Sequence, residues 1–307
     1  MTLPLSRTIT IGTRASALAR RQTRQVAAAL AERCAGLDVE EIPFITTGDV
    51  TLERPLPEIG GKGVFTAELE QALRSGAIDL AVHSLKDLPV EPPPGIAIGA
   101  ICFRVDPRDV LIAPRWGSLV GLPPGARVGT SSTRRMAQLR ALRSDLDPCS
   151  IRGNVDTRVR KVIAGEYEAI ILAAAGLLRL GLGGAITSYL TLDQMLPAPG
   201  QGALAVQCRS DDEPLLKLLA HLDDGVLRDA VTAERTFLAA LGGGCSAPVA
   251  AHAVSEAPDA LHLIGMVTAP DGGRTVRTEG SARRGEAVAL GHRLAAEAIA
   301  AGVGEWL

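Results

Sequence analysis

Short apolar runs alternate along the chain with segments in which apolar residues recur every three or four positions. A strand pattern at 8–11 is followed by a helical pattern from Ser16 to Arg33 and by a second strand pattern at 39–45. Gly36 stands just after the helical pattern, where helices commonly end. This alternation predicts β-α-β units, which are typical of a mainly parallel sheet with helices on both faces.

The alternation continues to residue 240 and changes after it. The further predicted strands are 78–83, 96–101, 110–113, 126–129, 150–151, 169–173 and 203–208, and the further predicted helices are 66–75, one from after 132 to about 142, 155–164, 213–222 and 227–240. The last part has strand patterns at 249–254, 261–267 and 274–278 and one helix at 286–301. The chain therefore predicts two α/β domains, with a ligand cleft between them, and a smaller α+β third domain.

Composition narrows the class of protein. The 307 residues are 47% hydrophobic and 21% charged, which is typical of a globular chain and excludes a disordered, collagenous or coiled-coil protein. Lys and Arg total 32 against 34 Asp and Glu, so no overall charge attracts nucleic acid or an anionic membrane. The longest stretch without a charge, 236–255, contains three glycines and a proline, which predicts a loop between elements and not a membrane span.

Cysteine and histidine usage points to a reduced protein without a metal. The five cysteines are widely spaced and form no CxxC pair, which argues against a disulfide framework and a zinc site. The five histidines show no ligand spacing, so no metal is predicted. The first residues lack the apolar run of a signal peptide, which favours a cytoplasmic location.

Arginines gather where predicted strands lead into helices. Only four of the 32 basic residues are lysines, a bias that base composition largely explains, but these positions indicate a ligand with several carboxylates or phosphates. Arg134 and Arg135 in a first helical turn oppose the helix dipole and indicate an anion there; an ordinary cap with two exposed arginines is the alternative. The residues at such positions are Arg14, Ser16, Ser132, Arg134, Arg135, Arg152, Arg158 and Arg179.

A charged pair follows the predicted strand 78–83. Lys86 and Asp87 stand at the carboxyl end of that strand, where ligands bind in parallel sheets. Asp87 is a candidate acid, base or cation-stabilising carboxylate, and Lys86 is a candidate anion binder. A solvated turn with an ion pair is the alternative.

Two glycine-rich loops carry further candidates. The loop at 46–64 is not a Walker loop; it is either a lid that places Lys62 and Phe65 over a cleft or a plain loop. Cys245 follows three consecutive glycines, which would let its thiol approach a ligand or carry a covalent group. A small buried hydrophobic residue is the alternative for a lone cysteine.

Eight motifs, in this order and across nearly the whole chain, resemble the porphobilinogen deaminase (hydroxymethylbilane synthase) family. They are IGTRAS at 11–16, TTGDV at 46–50, IGGKGVF at 59–65, HSLKDLP at 83–89, VGTSSTRR at 128–135, IRGNVDTR at 151–158, LPAPGQGALAVQCR at 196–209 and LGGGCSAP at 241–248.

The resemblance implies two doubly wound, periplasmic-binding-protein-like α/β domains and a smaller α+β third domain. The implied boundaries are 1–102 plus 200–221, 103–199 and 222–307. It also implies a dipyrromethane cofactor joined through a thioether to Cys245. The implied activity is that of a transferase of tetrapyrrole biosynthesis, which joins four porphobilinogen molecules onto that primer, releases ammonia and hydrolyses off hydroxymethylbilane. The implied enzyme is a monomer that acts on a small molecule, with no nucleic-acid or membrane partner.

Site residues carry over motif by motif. Asp87 matches the catalytic aspartate, which stabilises the cation left by ammonia loss and moves protons at the pyrrole. Each pyrrole carries an acetate and a propionate, whose burial an arginine-lined cleft offsets. Glu58 stands where the family often has a basic residue, so no lid contact is implied there. The implied binding residues are Arg14, Ser16, Gln22, Lys62, Phe65, Lys86, Ser132, Arg134, Arg135, Arg152, Arg158, Arg179 and Gln201.

Two other classes of protein compete with this interpretation. A two-lobed solute-binding protein would need only the first two domains, but it would usually carry an export signal and needs no thiol-bearing third domain. A nucleotide-dependent α/β enzyme is disfavoured because the chain has no GxGxxG loop and no complete Walker loop.

Overall fold

The structure is a computed structural model that describes residues 8–34, 36–46, 66–244 and 247–307. The chain divides into two units, Met1–Arg104 with Ala203–Arg228, and Val105–Gly202 with Asp229–Leu307. The second unit contains two sheets. The domain boundaries inferred from the sequence, including a separate third domain from residue 222, stay a prediction.

The described residues form the following elements. The strands are β1 (Ile9–Arg14), β2 (Val39–Phe44), β3 (Leu80–Ser84), β4 (Ile96–Cys102), β5 (Asp109–Ile112), β6 (Arg127–Gly129), β7 (Asp147–Cys149), β8 (Ala169–Ala173), β9 (Ser188–Tyr189), β10 (Leu204–Arg209), β11 (Val249–Ala257), β12 (Ala260–Thr268) and β13 (Thr275–Arg283). The α-helices are α1 (Ala17–Arg33), α2 (Ala67–Arg74), α3 (Thr133–Leu142), α4 (Val155–Ile163), α5 (Ala174–Arg179), α6 (Glu213–Leu219), α7 (Gly225–Ala240) and α8 (Ala287–Ala300). Short 3-10 turns cover Leu85–Asp87, Gly183–Ala185, Arg284–Glu286 and Val303–Trp306.

The first unit is built on one sheet with helices on both faces. The strand order is β2-β1-β3-β10-β4, with β1 parallel to β2 and β3 and with β10 antiparallel to β3 and β4. On one face, Val26 and Leu30 of α1 pack with Leu215 of α6. On the other face, Leu69 and Leu73 of α2 pack beneath the sheet. This arrangement confirms the predicted doubly wound α/β architecture.

Helix α1 shows how local sequence produces these elements. The side chain of Ser16 accepts a hydrogen bond from the N–H of Ala19 at 3.3 Å and so satisfies one of the unpaired donors of the first turn. The helix ends at Arg33, and Gly36 beyond it has a φ of +80°, which a residue without a Cβ adopts easily. Both ends therefore agree with the prediction.

The second unit contains a sheet of the same kind. Its order is β7-β6-β8-β5-β9, with β6 parallel to β7 and β8 and with β5 antiparallel to β8 and β9. Leu139 of α3 packs on one face, and Val159 of α4 and Leu177 of α5 pack on the other. The carboxyl ends of β6, β7 and β8 therefore lie at one edge of this sheet.

The third sheet, also in the second unit, is the antiparallel order β11-β12-β13. Phe237 of α7 is fully buried against it. Gly265 of β12 leaves room for that ring, because a Cβ at this position would collide with Phe237. Leu290 and Leu294 of α8 complete the same core. The predicted smaller α+β part is confirmed by these elements.

Three local predictions were wrong or incomplete. The strand predicted at 150–151 lies instead at Asp147–Cys149, because β6 sets the register there; Ile151 is buried from a non-strand position. The strand β9 was not predicted, and it has only two residues. Helix α5 was not predicted either, because no loop signal separates it from β8. As a consequence, Arg179 is the last residue of a helix and does not stand at a strand-to-helix junction as predicted.

Replacement of Phe237 tests the core of the third sheet. Phe237→Ala removes a fully buried ring, so we expect the free energy of unfolding to fall by about 3–5 kcal/mol. Val288→Ala is the control, because Val288 is 52% exposed on α8 and its truncation should change stability by less than about 0.5 kcal/mol. Urea unfolding measures both. Equal stability of the two variants would contradict this packing.

Candidate active site

The first cluster of predicted site residues lies at the carboxyl ends of β1 and β3. These strands are parallel neighbours, so their ends meet at one edge of the sheet. Arg14 is the last residue of β1, and Lys86 and Asp87 belong to the 3-10 turn directly after β3. Arg14 and Lys86 are half-buried, whereas Asp87 is exposed. The structure thus brings together two cations and one solvent-accessible carboxylate.

Helix α1 adds Ser16 and Gln22 to this edge. Ser16 caps the helix that follows β1. Gln22 is only 3% exposed, and its Nε2 donates a hydrogen bond to Oγ of Ser84 at 2.8 Å. Gln22 therefore ties α1 to the end of β3 and supports the position of the turn that carries Lys86 and Asp87.

His83 lies beneath the same edge. It is 5% exposed on β3, and its pKa is lowered to about 4. Burial is the largest cause and the nearby charge of Arg14 adds to it, whereas a hydrogen bond with Gln207 acts in the opposite direction. His83 is therefore neutral at pH 7. The sequence analysis did not assign it a role, because nothing local distinguishes a buried histidine from an exposed one.

A buried carboxylate organises the corresponding part of the second unit. Asp109 is the first residue of β5 and is fully buried. Its Oδ1 is 2.7 Å from Nη2 of Arg135, and its Oδ2 is 2.8 Å from Nη2 of Arg134. Nε2 of Gln201 donates a third hydrogen bond to Oδ1 at 2.8 Å. We call Asp109, Arg134, Arg135 and Gln201 the Asp109 cluster.

Asp109 is ionised within this cluster. Burial by itself raises the pKa of Asp109, but the charges of Arg134 and Arg135 and the hydrogen bonds from Arg135 and Gln201 outweigh it and hold the pKa at about 2. One negative and two positive charges leave the cluster with a net charge of +1.

The structure decides between the two alternatives for the first turn of α3. Arg134 and Arg135 are 3% and 6% exposed, so they are not surface arginines beside an ordinary cap. Their anion is an internal one, Asp109. Ser132 is the N-cap and accepts a hydrogen bond from the N–H of Arg135 at 3.4 Å. Asp109 was not predicted from the sequence, because the local pattern shows only an acidic residue at the start of an apolar run.

Three more predicted arginines lie in the segments that follow β7 and β8. Arg152 is half-buried just after β7. Nε of Arg158 donates to the carbonyl of Gly153 at 2.7 Å, and Nη2 of Arg179 donates to the carbonyl of Gly202 at 2.8 Å. Guanidinium groups at a sheet edge are suited to bind carboxylates. The donor chemistry here fits a ligand with several acidic side chains.

Lys62, Phe65 and Cys245 lie outside the described residues, as does nearly all of the loop predicted at 46–64. The residues on both sides of Cys245, including Gly242–Gly244 and Pro248, line a cavity of about 380 Å³. One face of α3, with Thr133, Met136 and Arg140, forms its opposite side. The chain next to Cys245 therefore lies against the helix that carries Arg134 and Arg135.

The described part of the chain has neither a group of metal-ligating side chains nor a long apolar helix. Within it, no group of three or more His, Cys, Asp and Glu side chains is arranged to hold a metal ion. Within the same residues, no helix is both long and apolar enough to cross a bilayer.

The pH dependence of stability tests the environment of His83. Its pKa is about 4 in the folded protein and about 6.5 in a model peptide, so the unfolded chain binds a proton that the folded one excludes. The corresponding stability is fully present above pH 6.5 and is lost as the pH falls to about 4, by about 1.4 kcal/mol per pH unit. We expect His83→Gln to flatten this part of the curve, measured by urea unfolding; an unchanged slope would contradict a buried neutral His83.

The family models and relatives that this chain resembles together span almost all of it. Residues 9–217 match the family model described as porphobilinogen deaminase, dipyromethane cofactor binding domain, and residues 229–300 match the porphobilinogen deaminase C-terminal domain. The porphobilinogen deaminase of Roseiflexus sp. strain RS-1 is 52% identical over 295 residues, which is 96% of this chain and 97% of the relative. That of Syntrophotalea carbinolica is 48% identical over 297 residues, 97% of this chain and 94% of the relative.

Among solved structures, the methionine-binding protein MetQ is similar over 70% of this chain and 89% of its own, with 14% identity and a TM-score of 0.42. The two family models and these relatives name the same family over nearly the whole chain. This chain therefore belongs to the porphobilinogen deaminase family.

Proposed function

We propose that this protein is a hydroxymethylbilane synthase. It joins four porphobilinogen molecules, releases one ammonia at each step and liberates the linear tetrapyrrole hydroxymethylbilane by hydrolysis. One observation carries the proposal: the exposed carboxylate of Asp87 stands with Arg14 and Lys86 at one sheet edge, in a chain whose residues 9–217 match the family's cofactor-binding domain.

The substrate's acidity explains the cations. Every porphobilinogen unit brings one acetate and one propionate, and a carboxylate that leaves water without a partner is costly. Cationic side chains near the ends of parallel strands offset this cost with charge-assisted hydrogen bonds. The residues proposed to bind these carboxylates, directly or by supporting a neighbour, are Arg14, Ser16, Gln22, Lys62, Phe65, Lys86, Ser132, Arg134, Arg135, Arg152, Arg158, Arg179 and Gln201.

Cys245 holds the primer. When bound through a thioether at this thiol, the dipyrromethane supplies a fixed, acidic end onto which substrate units are added. Gly242 has a φ of +68°, and glycines occupy the next two positions, so the backbone before Cys245 carries no bulky side chains. The donor chemistry described above fits the acidic groups of the dipyrromethane.

Asp87 stabilises a positive charge on the substrate and transfers a proton. Loss of ammonia leaves a cation on the substrate, which a nearby carboxylate stabilises. The same carboxylate moves a proton at the pyrrole during bond formation. Asp87 is suited to this role because it is exposed in the 3-10 turn after β3, whereas the buried Asp109 is enclosed by its own arginines.

The remaining properties belong to the same proposal. The net charge of −2 supports a small-molecule substrate and no nucleic-acid partner. The wide cysteine spacing supports a reducing, cytoplasmic location. We propose that the enzyme acts as a monomer without a membrane partner.

Intact-protein mass spectrometry tests the covalent primer. The purified protein should exceed its polypeptide mass by two pyrrole units, and Cys245→Ala should show only the polypeptide mass and form no hydroxymethylbilane. Cys149→Ala is the matched control, because Cys149 is also a free thiol and should keep the added mass. A wild-type protein without added mass would refute the assignment, as would a Cys245→Ala variant that retains normal activity.

Replacement of Asp87 tests its role in turnover. Asp87→Asn keeps the shape of the side chain but removes the charge and the base, so we expect turnover to fall by about 10²- to 10⁴-fold while the added mass stays on the protein. Asp211→Asn, at an exposed aspartate after β10, should leave turnover unchanged. Release of porphobilinogen-derived product measures both. Near-normal turnover in Asp87→Asn would remove Asp87 from the mechanism.

A further inference from the structure

The arginines of the Asp109 cluster make hydrogen bonds to backbone carbonyls in addition to their ion pairs with Asp109. Nε and Nη2 of Arg135 both donate to Oδ1 of Asp109, at 3.1 and 2.7 Å, and its Nη1 donates to the carbonyl of Ile171 at 3.1 Å. Nη2 of Arg134 contacts Oδ2 at 2.8 Å, and its Nη1 donates to the carbonyl of Leu196 at 2.6 Å. Neither guanidinium plane can rotate without breaking a buried contact.

The carboxylate of Asp109 allows Arg134 and Arg135 to be buried side by side. Their side chains are only 4% and 7% exposed, so water cannot separate their two positive charges. Removal of one partner from a buried ionic group leaves an uncompensated charge. Without Asp109, at least one of Arg134 and Arg135 would have to leave its place. With Asp109, both stay, and one positive charge remains in excess.

Gln201 links Asp109 to the backbone of the segment that precedes β5. Its Nε2 donates both to Asp109 and to the carbonyl of Pro107, at 2.8 and 2.7 Å. The neighbouring Gly202 accepts the hydrogen bond from Arg179 through its carbonyl. Asp109 therefore lies at the centre of contacts that fix Arg134 and Arg135 directly and reach the backbone beside Arg179.

We propose that Asp109 is a positioning residue for the cationic ligand site of the second unit. It holds Arg134 and Arg135 in one orientation before ligand arrives, so that the excess positive charge of the cluster is already in place when an acidic pyrrole chain binds. Preorganisation of this kind increases affinity because the entropy cost has already been met in folding. The inference rests on the proposed function, since it concerns how that site binds carboxylates.

The test uses Asp109→Asn in the full-length protein. The amide keeps an oxygen for Arg135 and Gln201 but turns its NH₂ toward Nη2 of Arg134, so a donor faces a donor. We expect the KM for porphobilinogen to rise about 10- to 100-fold, as the loss of a charge-assisted hydrogen bond costs, with a smaller change in kcat. The fraction of protein that carries the added pyrrole mass should also fall.

Asp145→Asn is the matched control. Asp145 also accepts two hydrogen bonds from one arginine, from Nε of Arg143 to Oδ1 and from Nη2 to Oδ2, each at 2.7 Å, but it is 40% exposed. Loss of an exposed ion pair changes little, so KM and the pyrrole mass should stay at wild-type values.

A second variant keeps the inference testable if Asp109→Asn fails to fold. Asp109→Glu retains the charge that the two arginines need but displaces the carboxylate by one methylene, so a purely charge-balancing role would leave KM unchanged. We expect KM to rise in the folded Glu variant as well. Folded Asp109 variants with wild-type KM and full pyrrole mass would overturn the positioning role. Failure of the wild-type protein to make hydroxymethylbilane would instead refute the proposed function.

Discussion

Two arginine side chains lie buried side by side in the second unit because one carboxylate compensates half of their charge. Transfer of an ionised group out of water costs several kcal/mol, and two like charges would add their repulsion to that cost. Asp109 accepts hydrogen bonds from Arg135 and Gln201 and lies in contact with Arg134, all within 3.1 Å. The first turn of α3 and the start of β5 therefore keep their places only together.

Asp87 and Asp109 lie in different environments. Asp87 stands in a turn at the end of β3 and is open to solvent. Asp109 is enclosed by guanidinium groups that keep it ionised, with a pKa of about 2. A carboxylate held in this way cannot act as a proton carrier near neutral pH. Its contacts in the structure are with the side chains that it holds in place.

The third sheet is joined to the sheet beside it through specific polar contacts. Nη1 of Arg140 on α3 donates to the carbonyl of Pro270 at 2.7 Å, and the buried Glu234 of α7 accepts from the N–H of Gly200 at 2.6 Å. The first contact joins α3 to the segment between β12 and β13, and the second joins α7 to the segment that leads into β10.

Local chemistry was sufficient to predict much of this protein from its sequence. Capping by Ser16, the apolar run at 169–173 and the eight motifs determined the helix start, the strand and the family, because each signal lies within a few residues. Only the tertiary structure decided the antiparallel directions of β5 and β10 and the partner of Arg135, which lies 26 positions away at Asp109. Such pairings depend on which buried groups meet after the sheet has formed, and no local pattern records that.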